Sequence, residues 1–412
     1  MASITAIIPT YNRAGYLTQA VNALRTQTRR PGEIIVWDDG STDETEAVAR
    51  ELGSAIRYFR AENGGKSRAL NAAMAEATGD LIWICDDDDI ALPDAAETLA
   101  GMLDAAPETG IAGGSYRRFR EDRDGRRREQ GPGYWPDLST GTPMRHLLED
   151  IFLFQNATMV RREIYDRAGP FREDLPRSID YEMIVRLGLI SPIALTDKPL
   201  FLQRKHDGDR GPAAARHAAS KSDDVWKLAD REIFAEFREQ IPLSFYEAMF
   251  EAESPEFARR AALLQRGCVH ARRTDWPSAL EDFEAAADAA PMQPLCEVER
   301  LICRRAMGGK HGIEEALAPE TRRRLAGLGR RGTAGASIAQ ALVRGLAWRL
   351  KVAVRAGRVG PARDILRLSS GLASPRLFAS APGPQTRERR DIPAAAFFQC
   401  WNGAAPQGRI AQ

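Results

Sequence analysis

Short apolar, β-branched runs alternate with amphipathic stretches through the first half of the chain. Ile4 to Ile8, Glu33 to Trp37, Ile56 to Arg60 and Leu81 to Cys85 read as strands. Helical spacing fills the gaps. Leu17, Val21 and Leu24 recur every three or four residues within Ala14 to Gln27. A second helix runs to about Leu52, capped by Ser41, Thr42 or Asp43, and a third spans Ser67 to Ala77. This alternation predicts a parallel sheet covered on both faces, with the loops at the strands' carboxyl ends on one edge. Further on come a helix at Pro93 to Leu103, a strand at Ile111 to Phe119 and a short strand at Asn156 to Val160. Helices follow at Arg161 to Ala168 and Asp180 to Leu189, then a strand at Ala194 to Arg204 interrupted at Pro199. Arg120 to Gly133 is dense in charge and reads as an exposed hairpin loop. It lacks the interleaved aromatics of a nucleic-acid surface, so no nucleic-acid partner is expected.

From about Ala218 the β-branched runs disappear and Ala, Leu, Arg and Glu dominate, so the second half is helical. Gly267, Ala279, Phe283, Ala286 and Pro291 match the small, aromatic and proline positions of a tetratricopeptide unit. A weaker echo spans Ala347 to Leu368, with a turn at Gly357 to Pro361. The expected organisation is an α/β domain over 1–215, a helical, tetratricopeptide-like hairpin domain over 216–373 and a disordered tail over 374–412.

Composition narrows the class. A chain of 412 residues suits two or three domains. Its five cysteines form no C-x-x-C pair, which fits a reducing compartment and argues against a zinc site. No signal peptide or membrane span is legible, so a cytoplasmic location is expected, with any membrane contact peripheral at the inner face. Charge is uneven: Thr321 to Arg367 carries twelve Lys or Arg and one acid, Asp364. Within it, Ile338 to Arg358 sets Leu342, Leu346, Trp348, Leu350 and Val354 among arginines. That pattern fits either a helix packed in its domain or one lying on an anionic membrane.

The chemistry concentrates where the Leu81 strand ends, in Asp86-Asp87-Asp88-Asp89. Adjacent carboxylates repel, so the cluster is costly unless water or a cation offsets it. Strand alternation points Asp86 and Asp88 one way and Asp87 the other. Hard oxygen donors of this kind suit Mg²⁺ or Mn²⁺.

Taken in order, the motifs resemble those of the family 2 glycosyltransferases, which have the GT-A fold. Ile7-Ile8-Pro9-Thr10-Tyr11-Asn12-Arg13 is similar to the family's opening strand and loop. Val36 to Asp43, the Asn63 to Asn71 block and the four aspartates followed by Pro93 resemble its next three motifs. Gly169-Pro170-Phe171 with Asp180-Tyr181-Glu182 resembles its acceptor-side block, and Gln203-Arg204-Lys205-His206 its closing strand. The resemblance covers roughly residues 3 to 210. It implies a metal-dependent, inverting transferase using a nucleotide-sugar donor, UDP-linked, and a glycan, lipid-linked or protein acceptor. Thr10 and Tyr11 would flank the base, and Asp38 and Asp39 would bind base or ribose. Lys66 and Arg68 would meet the diphosphate. Asp88 would hold Mn²⁺ or Mg²⁺, assisted by Asp86, which also faces the ribose, and by His206. Asp89 would orient the loop and Asp87 would have no task. Asp180 would be the catalytic base, with Glu182 in reserve.

The chain departs from the family pattern at two places. Ile179 stands where Glu usually precedes the catalytic Asp, and Leu70 stands where Arg is frequent. With the tetratricopeptide-like unit, the first departure also fits a second reading: an inactive GT-A-like scaffold whose helical domain, facing a protein or membrane partner, does the work.

Overall fold

The computed structural model describes residues 1–122, 124–205, 222–250 and 254–372. His206, the domain boundary expected at 215 and the tail over 374–412 lie outside the described residues. Among these, nine strands form one sheet: β1 Ile4–Thr10, β2 Glu33–Asp38, β3 Arg57–Arg60, β4 Leu81–Ile84, β5 Ile90–Ala91, β6 Ile111–Glu121, β7 Arg127–Pro132, β8 Thr158–Arg161 and β9 Ile193–Arg204. The helices are α1 Ala14–Arg25, α2 Thr45–Leu52, α3 Lys66–Glu76, α4 Ala95–Ala105, α5 Pro143–Glu149, α6 Arg162–Ala168, α7 Ile179–Ile190 and α8 Ser222–Gln240. They continue with α9 Leu243–Glu247, α10 Pro255–Arg272, α11 Trp276–Ala289, α12 Glu297–Ala306, α13 Pro319–Leu328, α14 Gly332–Arg355 and α15 Val359–Leu372.

The described chain divides into two units. Met1–Pro136 and Ile151–Ala229 belong to the first; Asp137–Asp150 and the described residues from Asp230 belong to the second. Residues 137–150, which the sequence reading leaves in the α/β domain, therefore pack with the helices.

In the first unit the strand order is β3-β2-β1-β4-β8-β6-β9-β5, with β7 paired to β6. β3, β2, β1 and β4 run parallel, in a register that sets Ile7 beside both Ile35 and Ile84. Every position of β4 is buried, as in a strand covered on both faces. Because these four strands share a direction, the loops that follow Thr10, Asp38 and Ile84 open on one edge. β8 and β5 run antiparallel to their neighbours, whereas β6 and β9 pair in parallel. This is the mixed, largely parallel sheet that the resemblance to GT-A transferases implies.

Three local differences from the sequence reading matter. Asn156 does not start a strand; Gln155–Ala157 form a 3₁₀ turn ahead of β8. After the four aspartates the chain re-enters the sheet as β5, pairing Ile90 with Leu202, a strand too short to leave a periodic signal. β9 is not broken at Pro199. It runs through, with the register slipping near Ser115, where Pro199 has no N–H to give.

In the second unit α10 and α11 form the expected helical pair. Phe283 is fully buried, and a Cβ on Gly267 would come within 2.8 Å of its ring. α5 lies in this unit with Leu147 and Leu148 fully buried. Glu149 accepts hydrogen bonds from Gln265 (2.9 Å) and, through its backbone carbonyl, from Arg272 (2.9 Å) and Arg273 (3.0 Å), and its carboxylate pairs with Arg305 at 2.8 Å. Burial alone would raise this carboxyl, but Arg305, His146 and Arg272 outweigh it and hold it at about 2.

Candidate active site

Each of the four aspartates has its own partner. Asp86 pairs with Lys66 Nζ at 2.6 Å, and Asp87 accepts the Thr10 hydroxyl at 2.7 Å. Asp88 pairs with Arg13 at 3.1 Å, and Asp89 accepts from the Asn156 amide at 2.7 Å and the Arg204 backbone N–H at 2.8 Å. The alternation expected of an extended segment is present. Asp87 and Asp89 are buried, whereas Asp86 and Asp88 are partly exposed and face cations. Burial, reinforced by the neighbouring Asp88, pushes the carboxyls of Asp87 and Asp89 upward. Asp87 thus has a task that the sequence reading denied it: it ties the loop to the end of β1.

The loop is held from behind. Asn156 Oδ1 accepts the Asp86 backbone N–H, while the Asn156 amide reaches Asp89. The Asn156 carbonyl accepts the indole N–H of the fully buried Trp83 at 2.8 Å. Arg204 donates Nε to the Asp88 carbonyl at 2.7 Å and lies over the Tyr16 ring, 4.5 Å from its centre.

The neighbouring loops are stitched to each other. Asp38 is fully buried; its oxygens accept the Ser41 N–H at 2.8 Å and the Tyr58 hydroxyl at 2.6 Å. Asp39 accepts the N–H groups of Gly64 and Gly65, both at 2.8 Å, and burial raises its carboxyl in spite of them. Asp38 therefore shapes the loop between β2 and α2, and Asp39 ties that loop to the one between β3 and α3. Gly40 is required here: its φ is +80°, and a Cβ would meet Asn63 N at 2.7 Å. Asn12 receives the Thr42 N–H at 2.7 Å, linking the loop that carries the half-buried Tyr11 to the loop after β2.

Lys66 opens α3, and Arg68, two residues on, is exposed and lies over Gly64. Burial opposes the Lys66 charge, but Asp86, Asp180 and Asp88 outweigh it and push the ammonium's pKa up. Leu70, where the family often has Arg, is fully buried in the core face of α3. Asp180 sits in the first turn of α7, behind Ser178 in the left-handed region at φ 55°. Burial pushes its carboxyl up; Lys66 pulls it down, and Asp86 adds to the rise. Glu182, the reserve base, is instead a structural ion pair: it is buried against Arg186 at 2.7 Å, and Arg186 also caps the carbonyls of Ala168 and Pro170.

The loops thus bring Asp86, Asp88, Lys66 and Asp180 into one electrostatic group, with Thr10 joined to the loop through Asp87. Carboxylate oxygens at Asp86 and Asp88 are the hard donors that Mg²⁺ or Mn²⁺ takes. Among the described residues, no three acidic, histidine or cysteine side chains converge as a cation site; Asp86 and Asp88 each face a cation of the protein. The sequence reading gave no role to Arg13, Asn156 or the Arg204 side chain. Arg13 and Arg204 lie inside quoted motifs, but nothing around Asn156 marks it until its burial is seen.

Residues 5–169 match the model of glycosyl transferase family 2. An uncharacterized glycosyltransferase of Rickettsia conorii is 30% identical over 218 residues, 52% of this chain and 36% of that protein. Glycosyltransferase GlyA of Streptococcus pneumoniae is 35% identical over 121 residues, 29% of this chain and 17% of that protein. The chain therefore spans about a third or less of the length of these relatives. Among solved structures, S. aureus TarS 1-349 in complex with UDP-GlcNAc is 17% identical, covers 86% of this chain and 92% of its own, and superposes with a TM-score of 0.48. The family match runs from β1 to Gly169 and takes in Thr10, Asp38, Asp39, Lys66, Arg68 and the four aspartates. The identification is therefore a match of residues 5–169 to the glycosyl transferase family 2 model, two fifths of the chain.

Proposed function

We propose that this chain transfers a sugar from a nucleotide-sugar donor, UDP-linked, to a hydroxyl of a glycan, lipid-linked or protein acceptor, with inversion at the anomeric carbon. One observation carries the reading: Lys66 Nζ lies 2.6 Å from Asp86 and also feels the charge of Asp180, so acidic loop, diphosphate cation and base form one electrostatic unit.

In this reading Thr10 and Tyr11 border the nucleotide base, and Asp38 and Asp39 hold the turn on which the ribose rests. Asp88 and Asp86 would hold Mn²⁺ or Mg²⁺, with His206 as a further donor. A cation bound there neutralises charge on the departing diphosphate. Lys66 and Arg68, in the first turn of α3, meet the diphosphate beside the helix N-terminus. Asp180 takes the acceptor hydroxyl's proton as that oxygen bonds to the anomeric carbon and the bond to the diphosphate breaks. Its raised pKa makes it a better proton acceptor than an ordinary carboxylate.

The test is nucleotide release from a panel of nucleotide sugars with Mn²⁺, comparing wild type with Asp180→Asn. Release by wild type and its loss in the variant support the reading. Absence of release from every donor, or full activity in Asp180→Asn, overturns it.

A further inference from the structure

Among the described residues nine large apolar side chains are exposed, and five of the nine fall in one short stretch. Trp348, Val352, Val354, Val359 and Leu366, exposed by 62%, 42%, 63%, 78% and 51%, all lie within the last eight residues of α14 and the first eight of α15. The inner side of α14, carrying Ile338, Leu342 and Leu346, is buried in its own unit. The outward side is a different stripe. Arg344, Trp348, Lys351, Val352 and Arg355 recur at three- and four-residue spacing, so basic groups flank an apolar line. On α15, Val359, Arg363, Leu366 and Arg367 repeat the arrangement. Between Arg344 and Arg367 there are seven basic residues and one acid, Asp364.

We propose that the outer side of the α14–α15 hairpin is a docking surface for an anionic phospholipid bilayer. Charge complementarity selects the occupant. A second copy of this surface would bring like charges together. A nucleic acid would match the charge but leave Val352, Val359 and Leu366 without a stacking partner. A lipid surface takes both: aliphatic and indole groups enter the headgroup–acyl boundary while the guanidinium and ammonium groups stay among the phosphates. Among the described residues no helix is long and apolar enough to cross a membrane, so the contact lies on the surface. The inference is independent of the transfer reaction and concerns the helical unit alone.

The experiment is co-sedimentation of the full chain with vesicles of phosphatidylcholine, and of phosphatidylcholine mixed with phosphatidylglycerol, at low and high salt. Three forms are compared: wild type, Lys351→Glu/Arg355→Glu, and Trp348→Ser/Val352→Ser/Val359→Ser/Leu366→Ser. All substitutions are at exposed positions, and circular dichroism confirms equal helix content. Wild type pellets with the anionic vesicles and not with the neutral ones, and salt weakens the binding. Charge reversal lowers partitioning about tenfold or more, since each basic group near such a surface contributes about 1 kcal/mol. The serine variant loses it also, which separates insertion from charge attraction alone. No pelleting of wild type, equal pelleting with both vesicles, or a serine variant that binds like wild type overturns the proposal.

Discussion

Asn156 and Asp89 meet at 2.7 Å behind the acidic loop, and the other side of the same amide takes the Asp86 backbone N–H. One buried side chain therefore fixes both ends of the four-aspartate segment, and its own backbone is held by Trp83. The loop's carboxylates repel one another, so the arrangement of Asp86 and Asp88 depends on anchors that do not themselves face the site.

Asn156→Ala should accordingly act on position before chemistry. It leaves Asp89 and the Asp86 N–H short of a buried partner, a loss of about 1–3 kcal/mol. The melting temperature should fall, and the Mn²⁺ concentration for half-maximal nucleotide release should rise more than kcat falls. A variant with lowered stability but an unchanged Mn²⁺ requirement would reduce Asn156 to a core residue.

The two faces of the loop should separate experimentally. Asp88→Asn removes a partly exposed pair with Arg13, and such pairs contribute little to stability, about 0–1 kcal/mol. It should nonetheless abolish metal-dependent donor binding. Asp87→Ala, in contrast, leaves the Thr10 hydroxyl buried and unpaired, at a cost of about 1–3 kcal/mol. Calorimetry of donor binding beside thermal denaturation distinguishes the two. Equal effects on both measurements would mean that the alternation has no functional meaning.

Asp180 carries a pH signature with opposite signs for activity and stability. Its folded pKa is raised by burial, so the folded state holds its proton more tightly than the unfolded one does. The stability it contributes is present below its ordinary pKa and is lost as pH rises through the raised one. Activity needs the ionised form and should fall as pH drops through that same raised value. Asp180→Asn should therefore melt at or above the wild-type temperature at neutral pH while losing turnover. A variant that loses both would make Asp180 a structural residue of α7.

The legible and illegible parts of this molecule divide by range. β1, β2 and β4 announce themselves because strands covered on both faces are continuous apolar runs, and the exposure of Asp86 and Asp88 follows from a period of two. Glu182 and Arg186 stand four apart on one helix, so their pairing was available to spacing alone. Asp87 with Thr10, and Asp89 with Asn156, join residues 77 and 67 positions apart, and no local pattern encodes either. The allegiance of α5 is the extreme case. Its Glu149 is bonded to Gln265, 116 positions downstream, so an apolar stretch between two parts of the α/β domain reads as belonging there.

A fragment ending at residue 215 tests that allegiance. It would keep α5 but none of Gln265, Arg272, Arg273 and Arg305, leaving Leu147 and Leu148 without the packing that buries them. Low soluble yield and aggregation on size exclusion are expected of the fragment and not of the full chain. A monodisperse, cooperatively melting fragment would show that α5 does not depend on the helical unit for its packing.

Glu149 gives the matching test within the intact chain. Glu149→Gln keeps the shape but removes the charge facing Arg305, and breaking a buried pair from one side costs about 3–5 kcal/mol. The carboxyl is held at about 2, below the ordinary 4.5, so its contribution is complete above 4.5 and is lost as pH falls toward 2. The wild-type melting temperature should drop across that window, and the difference between wild type and Glu149→Gln should shrink with it. Because the guanidinium groups stay charged throughout, the variant cannot recover what the wild type loses; the two curves should converge from above. Parallel curves would place the acid sensitivity of the helical unit elsewhere than at Glu149.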